Sequence, residues 1–124
     1  MAAVAMAAFI AAPAAAQDWP AAKPITILMG FPAGSGVDVV ARALQEPLEK
    51  ELGAKVVIDY RSGAGGNIAS EAVARARPDG YTILLGTAAT HGVNAALYKR
   101  LPFDVEADFT PIASLVDVSN VLTI

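Results

Sequence analysis

Apolar residues run almost without interruption from Ile25 to Phe31, from Val56 to Tyr60 and from Tyr81 to Leu85, and each run breaks into glycine and small polar residues before a helical pattern resumes. Near-continuous apolar runs are what parallel strands need when both faces are covered, whereas a half-exposed strand alternates. In the first helical stretch Val37, Val40, Ala41, Leu44 and Leu48 recur at helical spacing. Ser35-Gly36-Val37-Asp38 reads as a capping box, in which the serine oxygen accepts from the N–H at position 38 and the carboxylate reaches back to Ser35. Leu52-Gly53 supplies the stop. Pro47 lies beyond the first turn and predicts a kink or break near Leu44 to Gln45.

The pattern continues in short units. Asn67 is placed to cap a short helix through Ala76, and Arg77-Pro78-Asp79-Gly80 is turn chemistry. Asn94 is placed to cap a turn or two over 95–99, and Leu101-Pro102-Phe103-Asp104 closes that unit. Beyond it, Phe109 to Val116 and Val121 to Ile124 read as two further strands. Repeated β-loop-α units with short links predict an α/β fold, a three-layer αβα sandwich on a mainly parallel sheet.

The ends change the picture of the domain. Residues 1–16 carry no charge and are mostly alanine, with Val4, Met6, Phe9 and Ile10, and polar Gln17-Asp18 follows. That run is short for a membrane span, and Ala14-Ala15-Ala16 offers the small residues a signal peptidase needs, so 1–16 reads as a secretory signal and 17–124 as the exported part. At the other end Val121-Leu122-Thr123-Ile124 stops inside a strand-like run, which reads as the amino-terminal piece of a longer protein.

Charge and composition narrow the chemistry. The net charge is −3 with no basic stretch, which argues against nucleic acid, because phosphate neutralisation demands clustered Lys and Arg. There is no cysteine and a single histidine, so neither a disulfide framework nor a thiolate or histidine-pair metal site is expected.

The three glycine-bearing breaks are Pro32-Ala33-Gly34-Ser35-Gly36-Val37-Asp38, Arg61-Ser62-Gly63-Ala64-Gly65-Gly66-Asn67, and Gly86-Thr87-Ala88-Ala89-Thr90-His91-Gly92-Val93-Asn94. All three read as βα turns, which in a parallel sheet lie where the strands' carboxyl ends open into a ligand crevice. They contain no lysine, and only Arg61 flanks them. Main-chain amides are therefore better placed than cationic side chains to hold an anion, which favours a small carboxylate over a nucleotide phosphate.

Rival chemistries fit less well. Gly34-Ser35-Gly36-Val37-Asp38-Val39 follows a strand and opens a helix, and Asp59 closes the second strand where a ribose-binding carboxylate belongs, so a nicotinamide-dependent oxidoreductase is the alternative. Against it, Val39 stands where a third glycine should allow close packing, and Pro32-Ala33 lengthens the turn. A nucleophile elbow at Ser35 would need glycines at 33 and 37, where Ala33 and Val37 stand. No Walker motif is present, and His91 has no obvious acid-base partner. Asp38 favours its own helix N-terminus as a capping carboxylate, and it would repel an anion unless a ligand amine or water lies between. No catalytic residue, metal or cofactor is expected.

Together these residues have a family look. Lys23-Pro24-Ile25, Phe31-Pro32-Ala33-Gly34 with Asp38, Arg61 to Ile68, Pro78-Asp79-Gly80-Tyr81-Thr82, Gly86-Thr87 with His91, and Leu97 to Asp104 occur in an order that closely resembles the substrate-binding proteins of tripartite tricarboxylate transporters, the Bug family. The resemblance runs from about residue 19 to 124. It implies the first lobe of a type II periplasmic binding protein with a Venus-flytrap fold. It also implies a periplasmic solute receptor, monomeric when full length, that delivers a small carboxylate to a membrane permease with large and small subunits. Carried onto this sequence, it makes Phe31, Ala33, Gly34, Ser35 and Asp38 ligand-binding candidates in the first loop. Gly65, Gly66 and Asn67 are the candidates in the second loop, and Thr87 and His91 in the third. Ser35, Tyr60, Ser62 and Ala95 depart from the residues common in the family, the first by offering a hydroxyl at the site.

Overall fold

The structure, a computed structural model, describes residues 19–118. The expected signal segment and the expected strand Val121 to Ile124 lie outside the described residues. Three strands form one parallel sheet: β1 (Ile25–Met29), β2 (Val56–Tyr60) and β3 (Thr82–Leu85), in the order β2-β1-β3. In register, Ile27 lies between Ile58 and Ile83, and Met29 between Tyr60 and Leu85. Central β1 carries the deepest burial, with Ile25, Ile27, Leu28 and Met29 all inaccessible to solvent or nearly so. An apolar run with no polar alternation is what that position selects.

Helix α1 (Gly36–Leu52) follows β1 and lays Val37, Ala41 and Leu48 on the sheet face made by Ile27, Met29, Val56 and Ile58. Helix α2 (Asn67–Ala74) follows β2 and packs on β1 and β3. Because the chain passes over β1 to reach β3, right-handed crossovers put α1 and α2 on opposite faces, which gives three layers. That order also reverses direction at β1, the arrangement that in open α/β sheets marks the carboxyl ends of the strands as the place for ligand loops.

Several sequence expectations are corrected. Helix α1 does not break at Pro47, which sits inside it. Pro47 and Ala43 are both exposed, so the Ala43 carbonyl that loses its partner is solvated rather than orphaned. Half of the capping box forms: Ser35 Oγ accepts from the Asp38 N–H at 3.4 Å, but the Asp38 carboxylate reaches past Ser35 to the Gly34 N–H at 2.8 Å. The stop is as expected, with Gly53 left-handed at φ 61°.

Neither asparagine caps a helix. Asn67 is the first residue of α2, behind a left-handed Gly66, and Asn94 opens the short helix α3 (Asn94–Leu97) as the continuation of a wide helical turn, Ala89–Val93. Backbone that is already helical before Asn94 leaves no cap position to fill, and both side chains are free for tertiary work. Finally, Phe109 to Val116 is not a strand: it pairs with no strand of the sheet, and 110–118 is exposed throughout. Phe109 instead packs edge-on against His91 and Phe103, at centroid distances of 4.8 and 5.7 Å.

Candidate functional site

The first loop is built around a carboxylate. Asp38 is only 3% exposed, yet every contact around it is a donor. Its Oδ2 accepts from the Gly34 N–H at 2.8 Å and from Arg42 Nε at 3.0 Å, while its Oδ1 accepts from the Tyr60 hydroxyl at 2.7 Å. Arg42 Nη2 in turn donates to the Tyr60 oxygen at 2.8 Å. The Gly34 amide, with Tyr60 and Arg42 behind it, holds the Asp38 carboxyl at about 2, the behaviour of a carboxylate whose charged form is the one hydrogen-bonded. This ring of four groups fixes Gly34 at φ 84° and sets the amino end of α1. It also ties the first loop to Tyr60, the residue before the second.

The second loop comes against the first and third at one point. Gly66 takes φ 91°, and a Cβ there would stand 2.5 Å from Thr90 Cγ2 and 3.4 Å from the Phe31 ring. A Cβ on Gly30 would collide with the Gly66 backbone. The three loops therefore meet on a residue that only glycine satisfies, for both its left-handed backbone and its lack of a side chain.

From the far side, buried Asn94 donates through Nδ2 to the Gly65 carbonyl at 3.0 Å and to Asn67 Oδ1 at 2.7 Å, pinning the second loop to α3. The third loop closes on itself: Thr90 Oγ1 accepts from the Thr87 N–H at 2.9 Å, and Thr87 Oγ1 accepts from the Thr90 N–H at 3.3 Å. His91 Nδ1 lies 2.8 Å from Thr90 Oγ1, and burial pushes the imidazole below its ordinary value, toward the neutral form.

All ten expected residues lie on these three loops or the first turn of a helix, but they do different things. Asp38 and Asn67 are buried and spent on protein partners, as are the amides of Gly34 and of Gly66, whose N–H donates to the Gly63 carbonyl at 2.9 Å. Ala33, Gly34 and Gly65 are exposed, while Phe31, Ser35, Thr87 and His91 are half-buried. Among the described residues of the first two loops, the amides of Phe31, Ala33, Gly36, Val37, Ser62, Gly63, Ala64 and Gly65 have no acceptor. Of these, sequence reasoning named Phe31, Ala33 and Gly65. Arg42, Tyr60, Thr90 and Asn94 were missed as site builders. For Arg42 the available signal is its position four residues after Asp38, the spacing of a helical ion pair.

A parallel α/β sheet in the order β2-β1-β3, with the loops at its carboxyl ends gathered on Gly66, defines a class, the open α/β lobe. The family model described as tripartite tricarboxylate transporter family receptor matches residues 40–124, and the chain belongs to that family. The family is one of receptors and not of enzymes, which removes the oxidoreductase alternative; Asp59 pairs with Arg61 at 3.1 Å.

Among its relatives, protein BugT of Bordetella pertussis is 41% identical over 114 residues, covering 91% of this chain and 35% of that protein. A UPF0065 protein of Bordetella bronchiseptica is 46% identical over 110 residues, 88% of this chain and 32% of that protein. Among solved structures, the periplasmic binding protein BugD matches at 41% identity and a TM-score of 0.69, covering 73% of this chain and 30% of that one. MatC of Rhodopseudomonas palustris with bound malate matches at 39% identity and a TM-score of 0.72, covering 75% and 32%. An R. palustris protein with adipate matches at 38% and 0.67, covering 71% and 29%. The chain thus spans about a third of the length of the relatives it matches.

Proposed function

We propose that the chain supplies the first lobe of a periplasmic receptor that binds a small carboxylate, a di- or tricarboxylate or an acidic amino acid, and hands it to a tripartite membrane transporter with large and small subunits. The observation that carries this reading is the convergence of three βα loops on Gly66, with unpaired amides at the amino end of α1 (Gly36, Val37) and in the second loop (Gly65). Amides at the amino end of a helix favour a carboxylate, through hydrogen bonds and the helix dipole together. Malate in one solved relative and adipate in another support that choice of ligand. Export would rest on residues 1–16, removed so that the mature chain begins at Gln17.

The test is calorimetry on the full-length receptor carrying this sequence, titrated with mono-, di- and tricarboxylates, acidic amino acids and NAD. Saturable binding of one carboxylate class, with NAD silent, is expected. Binding of NAD alone, or of none of the panel, would overturn the reading.

A further inference from the structure

A buried negative charge lies in the first turn of the helix whose amino end, on the function proposed above, faces an anion. Asp38 is the third residue of α1 and lies beside the open amides of Gly36 and Val37. Left alone, an ionised carboxylate there would cancel the attraction of the helix terminus for a second anion. The structure holds it ionised all the same, with a cation against it. Arg42, one turn further along α1, pairs with Asp38 at 3.0 Å; the Asp38 side chain is 5% exposed and that of Arg42 59%. The carboxylate is thus inside and its counter-ion on the surface, with the neutral Tyr60 hydroxyl bridging both.

We propose that Arg42 is the charge-compensating residue of the ligand site: by neutralising Asp38 it leaves the amino end of α1 net attractive to a carboxylate, while Tyr60 keeps the pair in register. Arg42 touches no ligand in this scheme. It acts through Asp38 and is a positioning residue. A buried carboxylate is used here instead of a neutral group because it accepts three donors at once, and those donors fix the backbone at Gly34. Its charge is the drawback, and Arg42 removes it.

The test uses the full-length receptor with malate and adipate as probes. Arg42→Gln, which keeps the length and polarity of the side chain but not its charge, is expected to lose about tenfold in affinity for adipate, and less for its monomethyl ester, which carries one charge fewer. Arg42→Lys keeps most of the affinity. The double variant Arg42→Gln with Asp38→Asn regains most of what Arg42→Gln loses, because the uncompensated charge is gone. Tyr60→Phe, which removes a hydrogen bond but no charge, has the smaller effect.

A ligand-free reading accompanies these: the relaxation that an anionic nitroxide, relative to a cationic one, induces at the amide protons of Gly36 and Val37. The anionic share falls in Arg42→Gln, is restored in the double variant and is unmoved in Tyr60→Phe. If the unmodified receptor binds neither malate nor adipate, the carboxylate reading fails, and the nitroxide ratios still decide the role of Arg42. Unchanged ratios in Arg42→Gln, or a double variant no better than Arg42→Gln alone, would overturn the proposal and leave Arg42 a structural residue.

Discussion

At the scale of single residues, the loops rest on a few positions whose backbone or charge admits no ordinary replacement. Gly66 and Gly34 are both left-handed, but a Cβ on Gly66 meets Thr90 and Phe31 whereas one on Gly34 meets nothing within 4 Å. Gly34→Ala should therefore cost about 1 kcal/mol, the strain of the backbone alone. Gly66→Ala should cost about 3 kcal/mol or more, strain plus overpacking; urea unfolding of the two variants reads the difference, and equal costs would mean the loops do not meet at Gly66.

Asp38 gives a pH prediction with a definite sign. Its folded value of about 2 lies below the ordinary 3.8, so its stabilisation is complete above the ordinary value and is lost as the pH falls from there through about 2. Asp38→Asn should flatten that part of the stability-against-pH curve. The glycine positions and Asp38 were legible in the sequence. Which amides were already spent was not, because that depends on a carboxylate reaching one residue further back than a capping box does.

Among the elements, α1, β1, β2 and β3 were legible because apolar period and strong stop residues agree along them. The failures at Asn67, Asn94 and Phe109 share a cause: residues with good local chemistry were taken up by tertiary contacts. Asn67 and Asn94 look like caps in isolation, yet they bond to each other across the fold. Phe109 to Val116 has strand composition but no neighbour to pair with, and its aromatic residue finds the His91 ring instead. Pro47 lies on the solvated side of a helix long enough to carry it, so Pro47→Ala should raise stability by roughly 1 to 3 kcal/mol in thermal or urea unfolding, with no change at the loops. Asn94→Ala should do the opposite. It removes two buried hydrogen bonds, at roughly 1 to 3 kcal/mol, and should speed amide exchange in the second loop more than in α1; uniform exchange would mean that α3 does not pin that loop.

Over the whole molecule, the chain spans about a third of its relatives' length, and much apolar surface is open. Val93, Leu97 and Ile68 are about half exposed or more, and Ile112 and Val118 are more than three-quarters exposed. Residues 17–124 by themselves should then bind a carboxylate weakly and self-associate, measurable by calorimetry and light scattering beside the full-length receptor. The family was legible from six ordered motifs, whereas unpaired backbone amides carry nothing that tells one carboxylate from another. The central claim is that open amides of the first and second loops form the carboxylate site. Amide resonances of the isotope-labelled full-length receptor, followed during titration with malate or adipate, test it most directly. The account predicts saturable shifts led by Gly36, Val37 and Gly65, with the spent amides of Gly34 and Gly66 moving less. Saturation with those three amides unmoved would contradict it.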